Sequence, residues 1–257
     1  MLHSALLQIG ILSALLGWRL APTEFQTYLL VPLWLGTTLL ILLANYELAR
    51  NRRQVWLSQY LHGDSPWQRR LQYGYLGMGL QLLLAIALAL VLLIKLLVIP
   101  PALLPGMAVG LVLLWGLQYL LRPSLLEHVY SPYRQLLARQ LSANINTVLL
   151  GLLLITLLIF LPQPGLQGMG WVSAMGQHLQ LSQEPGLLGV LVRSGELLDL
   201  SQKWLLQNTV GSVQENGLLA LLVWVLAFSS YFALSFAYCR LLIGTEILAR
   251  KWSARDE

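Results

Sequence analysis

Residues Leu82–Ile94 form an unbroken apolar run of 13 residues. A helix facing water needs a polar face, and a half-buried strand alternates polar with apolar, so neither accommodates such a run. Extended on both sides, it becomes a segment Gly74–Ile99 that reaches the roughly 20 mostly apolar residues needed to cross a bilayer core. Five more stretches read the same way. Spans are expected at Leu2–Leu20, Thr27–Glu47, Gly74–Ile99, Ala102–Leu121, Asn146–Leu161 and Gly217–Ile243, within a single transmembrane domain over residues 1–257. The expected fold is therefore all-α, a polytopic integral membrane helical bundle.

Composition agrees. Charged residues make up 11% of the chain, against about 25% in an ordinary soluble domain. A soluble enzyme and a disordered chain are excluded, and a β-barrel disagrees with the lack of alternation. The single cysteine, Cys239, excludes an internal disulfide. The first stretch is interrupted by Gln8 and Arg19, yet it lacks the basic start and small-residue cleavage site of a signal peptide. It is expected to be retained as a span, with a surface-lying amphipathic helix as the alternative.

The placement of basic residues sets the orientation. Twelve of the sixteen lie in the loops 48–73 and 122–145 or toward the C-terminal end. With both termini inside, all twelve fall on the cytoplasmic side, as the positive-inside rule requires. The net charge of +5 is thus a topology signal, with no nucleic-acid signature, and the expected location is the bacterial cytoplasmic (inner) membrane. Pro100, Pro101 and Pro105 shape a tight outer turn. The outer segment 162–216 opens with a breaker-rich stretch and then carries an amphipathic helix. Leu187, Leu191, Leu198 and Leu205 share its apolar face, with Arg193, Glu196, Asp199 and Lys203 opposite. It reads as a lid on the bundle or as a gate or docking surface.

Two cytoplasmic loops share a pattern of His, two residues, Ser-Pro and an aromatic, starting at His62 and His128. Ser before Pro is a helix start, so each loop is expected to run helix, tight break, helix. Ser65, Pro66, Trp67, Ser131, Pro132 and Tyr133, with Arg52 and Arg53, are candidate docking residues for a cytosolic partner. Lipid-headgroup anchoring and chance recurrence of two good helix starts are the competing readings.

Within the spans, Lys95 either snorkels to the interface or is a buried functional lysine. Trp224, Tyr231, Ser235 and Tyr238 fall within about 60° on the sixth span, a stripe suited to helix packing or to a pathway lining. Gly74, Gly77 and Gly79 suggest close backbone approach. Arg19 and Glu24 flank the first outer turn and are expected to pair, and Arg240 and Glu246 lie toward the C-terminal end, where the last span is expected to run on as a helix. The four histidines are scattered, none of them deep in a span, and no nucleotide, metal or triad motif is present. Neither catalysis nor a cofactor is expected.

Six spans with both ends inside, and a long outer segment between the last two, resemble the permease subunits of ABC-2-type exporters. The loop Glu47–Arg70 sits where that family places its coupling helix, which would imply a separate ATPase. An amphipathic elbow before the first span and the family's glutamate-rich coupling motif are not evident. The leading expectation is a non-catalytic membrane subunit of a multi-component transport or assembly complex, in contact with lipid and with other membrane or cytosolic subunits. An exporter permease and a homo-oligomeric channel are the alternatives.

Overall fold

A computed structural model describes residues 2–60, 75–125, 131–178, 186–209 and 217–253. The described residues are all-α, without strands: α1 (Leu2–Leu20), α2 (Thr23–Tyr60), α3 (Tyr75–Val98), a 3-10 turn (Pro101–Leu103), α4 (Leu104–Ser124), α5 (Ser131–Phe160), α6 (Trp171–His178), α7 (Leu187–Thr209) and α8 (Gly217–Ser253). Five of these, α2, α3, α4, α5 and α8, are long and apolar enough to cross a membrane. Continuous helix is what lipid demands, because it leaves no backbone polar group to be satisfied by water. Even Pro32, inside α2, does not end that helix.

Helix α1 falls outside that set of five, since Gln8 and Arg19 dilute it, yet it packs along α8 and contributes Leu12, Leu15 and Trp18 to the main core. Its far end is tied to α2: Trp18 donates to the Gln26 carbonyl at 3.0 Å, and the Gln26 amide donates to the Arg19 and Ala21 carbonyls. That satisfies carbonyls a helix C-terminus otherwise leaves open. Arg19 and Glu24 form no ion pair.

Three helices outlast their expected spans. Helix α2 continues through 48–60, α5 starts at Ser131 rather than near Asn146, and α8 runs on to Ser253. At 1.5 Å per residue α2 and α5 are about 57 and 45 Å long, well beyond a hydrocarbon core of roughly 30 Å. Both overhang at the end where the arginines gather. The Ser-Pro helix start is observed at Ser131–Pro132, where α5 opens with Tyr133. Ser65, Pro66 and Trp67 lie outside the described residues.

Helix α8 is the central element. It packs against α1, α2, α3, α5 and α7. Of its membrane-length window 78% is buried, against 28–44% for the other four, and it is the least apolar of the five. The order is physically sensible: a helix surrounded by protein can carry polar groups that lipid-facing helices cannot.

Of the glycines expected to allow close approach, Gly74 lies outside the described residues, and close backbone approach is seen elsewhere. Gly77 lies against the Arg53 guanidinium and Gly79 faces open space, whereas Gly244 of α8 lies directly against the Leu40 carbonyl of α2. Beside that contact Ala44, Ala143, Cys239, Ile243 and Ile247 form a small-residue core between α2, α5 and α8.

The described residues between α5 and α8 fold on themselves. Leu166, Ala174, Met175 and Leu200 form a separate small core, with Trp204 packed on it. Side chains from the last turns of α7 hold the loop before α6. Gln207 accepts from the Leu166 amide at 2.7 Å and donates to the Pro164 carbonyl, and Asn208 accepts from the Gly168 amide and donates to the Leu166 carbonyl. Asn208→Ala removes two of these bonds, so about 1–3 kcal/mol of local stability should be lost. Faster hydrogen exchange confined to 163–169 and the end of α7 is the expected result; exchange unchanged there would refute the clamp.

A helix forms over Leu187–Thr209 as expected, and two of the four leucines that share a face lie away from the protein core. Leu187 and Leu198 are 58% and 48% exposed, and Leu191 and Leu205 are half-buried. The buried face carries Leu188, Gly195 and Asp199 instead, with Gly195 seated against Ile94 and Val98 of α3. An ion pair decides the orientation.

Candidate functional site

That ion pair joins α3, α7 and α8 near the C-terminal end of α3. Lys95 is 3% exposed, so it does not snorkel to water; its Nζ lies 3.5 Å from Asp199 Oδ1 and 3.5 Å from Gln202 Oε1. Tyr231 donates to the same Asp199 oxygen at 3.4 Å, its ring lies under the ammonium, and Ser230 donates to Gln202 at 2.8 Å. Lys203, one turn further along α7, holds the other Asp199 oxygen at 2.8 Å. One carboxylate thus faces two ammonium groups, and α7 is fastened by charge with its leucines outward. On the same helix, the Glu196 carboxyl is half-buried, its Oε2 has no hydrogen-bond partner among the described residues, and burial raises its pKa from the ordinary carboxylate value.

The geometry orders the variants. Asp199→Ala strands two lysines, one of them buried, and should cost about 3 kcal/mol or more; Lys95→Met leaves Asp199 its Lys203 partner and should cost far less. Hydrogen exchange across α7 is the measurement, and equal effects of the two variants would contradict the arrangement.

Most of the candidate stripe is interior. Tyr231, Ser235 and Tyr238 are buried, with Tyr238 donating to the Met107 carbonyl at 2.9 Å. Trp224 is 37% exposed and meets Phe228 ring to ring. Between them and the arginine-rich end, Asn146 of α5 donates to the Gly110 carbonyl and to Cys239 Sγ, joining α4, α5 and α8.

At the arginine-rich end the centre is Glu246, 4% exposed. Its Oε1 lies 3.0 Å from Arg139 Nε, 2.9 Å from Arg250 and 3.7 Å from Arg122, and its Oε2 accepts from Gln118 at 3.1 Å. One carboxylate therefore ties α4, α5 and α8. The Arg240 guanidinium, also on α8, stacks over Phe236. Sequence spacing signals only the Glu246–Arg250 pair, one turn apart. The partners from α4 and α5 become neighbours only when the helices pack.

Beside Glu246 lies a half-open groove of about 940 Å³ between α1 and α4, floored by α8. Gln8 closes its deep end, accepting from Trp115 at 2.6 Å and donating to the Leu242 carbonyl at 2.9 Å. Arg122 and Arg250 stand at its mouth, and Ala5, Trp115 and Leu120 line its side. Among the docking candidates, Arg52 is exposed and Arg53 half-buried against Gly77.

The described chain is thus an α-helical protein with several membrane-length helices, the class of integral membrane proteins. Comparison with protein-family models, curated proteins and solved structures finds no match.

Proposed function

We propose that the chain is a non-catalytic integral membrane subunit of a multi-component transport or membrane-assembly complex. In this reading α1 is a sixth span, both termini lie in the cytoplasm, and α6–α7 form a platform on the opposite side. A cytosolic partner docks on the loops 48–73 and 122–145. The supporting observation is the overhang. Helices α2 and α5 extend past membrane thickness at one end and carry Arg50, Arg52, Arg53, Arg134 and Arg139 there. Rigid helical projections give a partner a pre-ordered surface, which lowers the entropy lost on binding. The buried ionic groups Glu246 and Lys95 join helices to one another, as suits a scaffold.

Mild-detergent purification after cross-linking, with mass spectrometry of what accompanies the chain, tests this. A stoichiometric second subunit is expected, and a copurifying ATPase would favour the exporter reading within it. A chain that emerges alone under cross-linking would overturn the proposal. Orientation has its own test. With Cys239 replaced by alanine, a cysteine at position 52 should react only with reagents that reach the cytoplasm.

A further inference from the structure

We propose that α7 lies at the membrane edge with its exposed leucine face among lipid acyl chains, in the leaflet where α3 turns into α4. It rests on the chain being the integral membrane subunit proposed for it. Three observations converge on a lipid covering for this face.

The first is a helix turned inside out. At 100° per residue, Leu187, Val190, Ser194, Leu197, Leu198 and Ser201 share an arc of about 100°. The four apolar members are all exposed, Val190 at 61%. The charged residues Arg193, Glu196, Asp199 and Lys203 fall outside the arc, and Asp199 turns inward to Lys95. A helix between a core and water has the opposite arrangement. Leucine outward and charge inward suits surroundings more apolar than the protein beneath.

The second is that the polar groups on the arc are satisfied within the protein. Ser194 donates to the Leu191 carbonyl of its own helix at 2.9 Å. Ser201 accepts from Trp171 Nε1 at 3.3 Å and donates to Met175 Sδ at 3.9 Å. Neither hydroxyl relies on water, a condition that hydrocarbon imposes and an aqueous surface does not. Trp171 is itself exposed, with its N–H bonded, and Val172 beside it is more so. An apolar ring with a satisfied polar end is what a membrane interface accommodates.

The third is level. The apolar window of α3 is Gly77–Val98, 22 residues, or about 33 Å. Crossing a hydrocarbon core of roughly 30 Å uses nearly all of it, and Pro100 and Pro101 then lead directly into α4. The turn 94–98 therefore stands at the edge of the core. Gly195 is seated on Ile94 and Val98, and both Asp199 and Gln202 meet Lys95. Two turns of α7 thus meet this one turn of α3, which holds α7 at the same level.

Val190→Cys and Leu198→Cys, each at an exposed position, are made in the Cys239→Ala chain and given a nitroxide label in phosphatidylcholine vesicles. Leu83→Cys, 65% exposed within the α3 window, is the reference for contact with lipid. Collisions are read with oxygen, which enters hydrocarbon, and with a nickel chelate, which does not. Oxygen should exceed the chelate by about tenfold at 83 and by at least about threefold at 190 and 198, nearer the edge. A chelate that reaches 190 and 198 as readily as oxygen overturns the proposal while leaving the membrane reading intact; one that also reaches 83 overturns both. In native membranes, a photoreactive benzoylphenylalanine at position 190 should cross-link to lipid. A protein adduct there, from a partner or a second copy, also overturns the proposal.

Discussion

Glu246→Gln should destabilise the protein by about 3–5 kcal/mol, the usual result of removing one partner from a buried ion pair. Glutamine keeps the volume and the acceptor for Gln118 but removes the charge. Arg139, 6% exposed, then holds a buried cation without its counter-charge, and its Nη2 already lacks a hydrogen-bond partner among the described residues. Arg122 and Arg250 are more exposed and contribute less, because water screens them. Reversible unfolding in mixed micelles is the measurement. The double variant Glu246→Gln, Arg139→Met should recover part of the loss, since it removes both members of the closest pair, and a double-mutant cycle isolates that coupling. A single-variant loss below about 1 kcal/mol would show that the five-residue cluster does not hold α4, α5 and α8 together.

The second large effect is steric. Any side chain at position 244 meets the Leu40 carbonyl oxygen, and behind it the Leu40 carbonyl carbon at 2.6 Å. A flexible side chain could swing aside; a backbone carbonyl inside a continuous helix moves only with α2. Gly244→Ala should therefore cost about 3 kcal/mol or more, the upper range of overpacking, and Gly244→Leu should prevent α2 and α8 from assembling. Gly10→Ala and Gly36→Ala meet nothing within 4 Å and serve as controls expected to be neutral or slightly stabilising. Cross-linking between engineered cysteines on α2 and α8, with thermal unfolding, reads both outcomes. A Gly244→Ala protein as stable as its controls would disprove the contact.

How legible these sites were depended on whether a side chain's partner is local. Glu246 and Arg250, one turn apart on α8, can be paired from the sequence. Arg139 lies 107 residues from Glu246, and Lys95 lies 104 residues from Asp199. No periodicity links such positions. The outer helix shows the same limit from the other side. The spacing of its leucines puts them on one face, but spacing does not say whether that face meets protein or lipid. Asp199 faces Lys95, because a buried ammonium needs a counter-charge more than exposed leucines need cover. Likewise Gly244 looks no different in sequence from Gly36 until α2 is laid against α8.

The sequence by itself determined the class: long apolar runs can be satisfied only as continuous helices, and prolines mark where the chain turns. Its Ser-Pro helix start and its Pro100–Pro105 turn are local signals, and both appear where expected, as the start of α5 and the 3-10 turn before α4. Tertiary structure alone decided that α8 is the centre, that α2 and α5 overhang, which face of α7 is buried, and that a groove opens beside Glu246. The reason is physical. Lipid is as apolar as leucine, so hydrophobic pattern says that a helix belongs in the membrane without saying which side faces protein. That choice falls to a few buried polar and glycine contacts, whose partners come from distant parts of the chain.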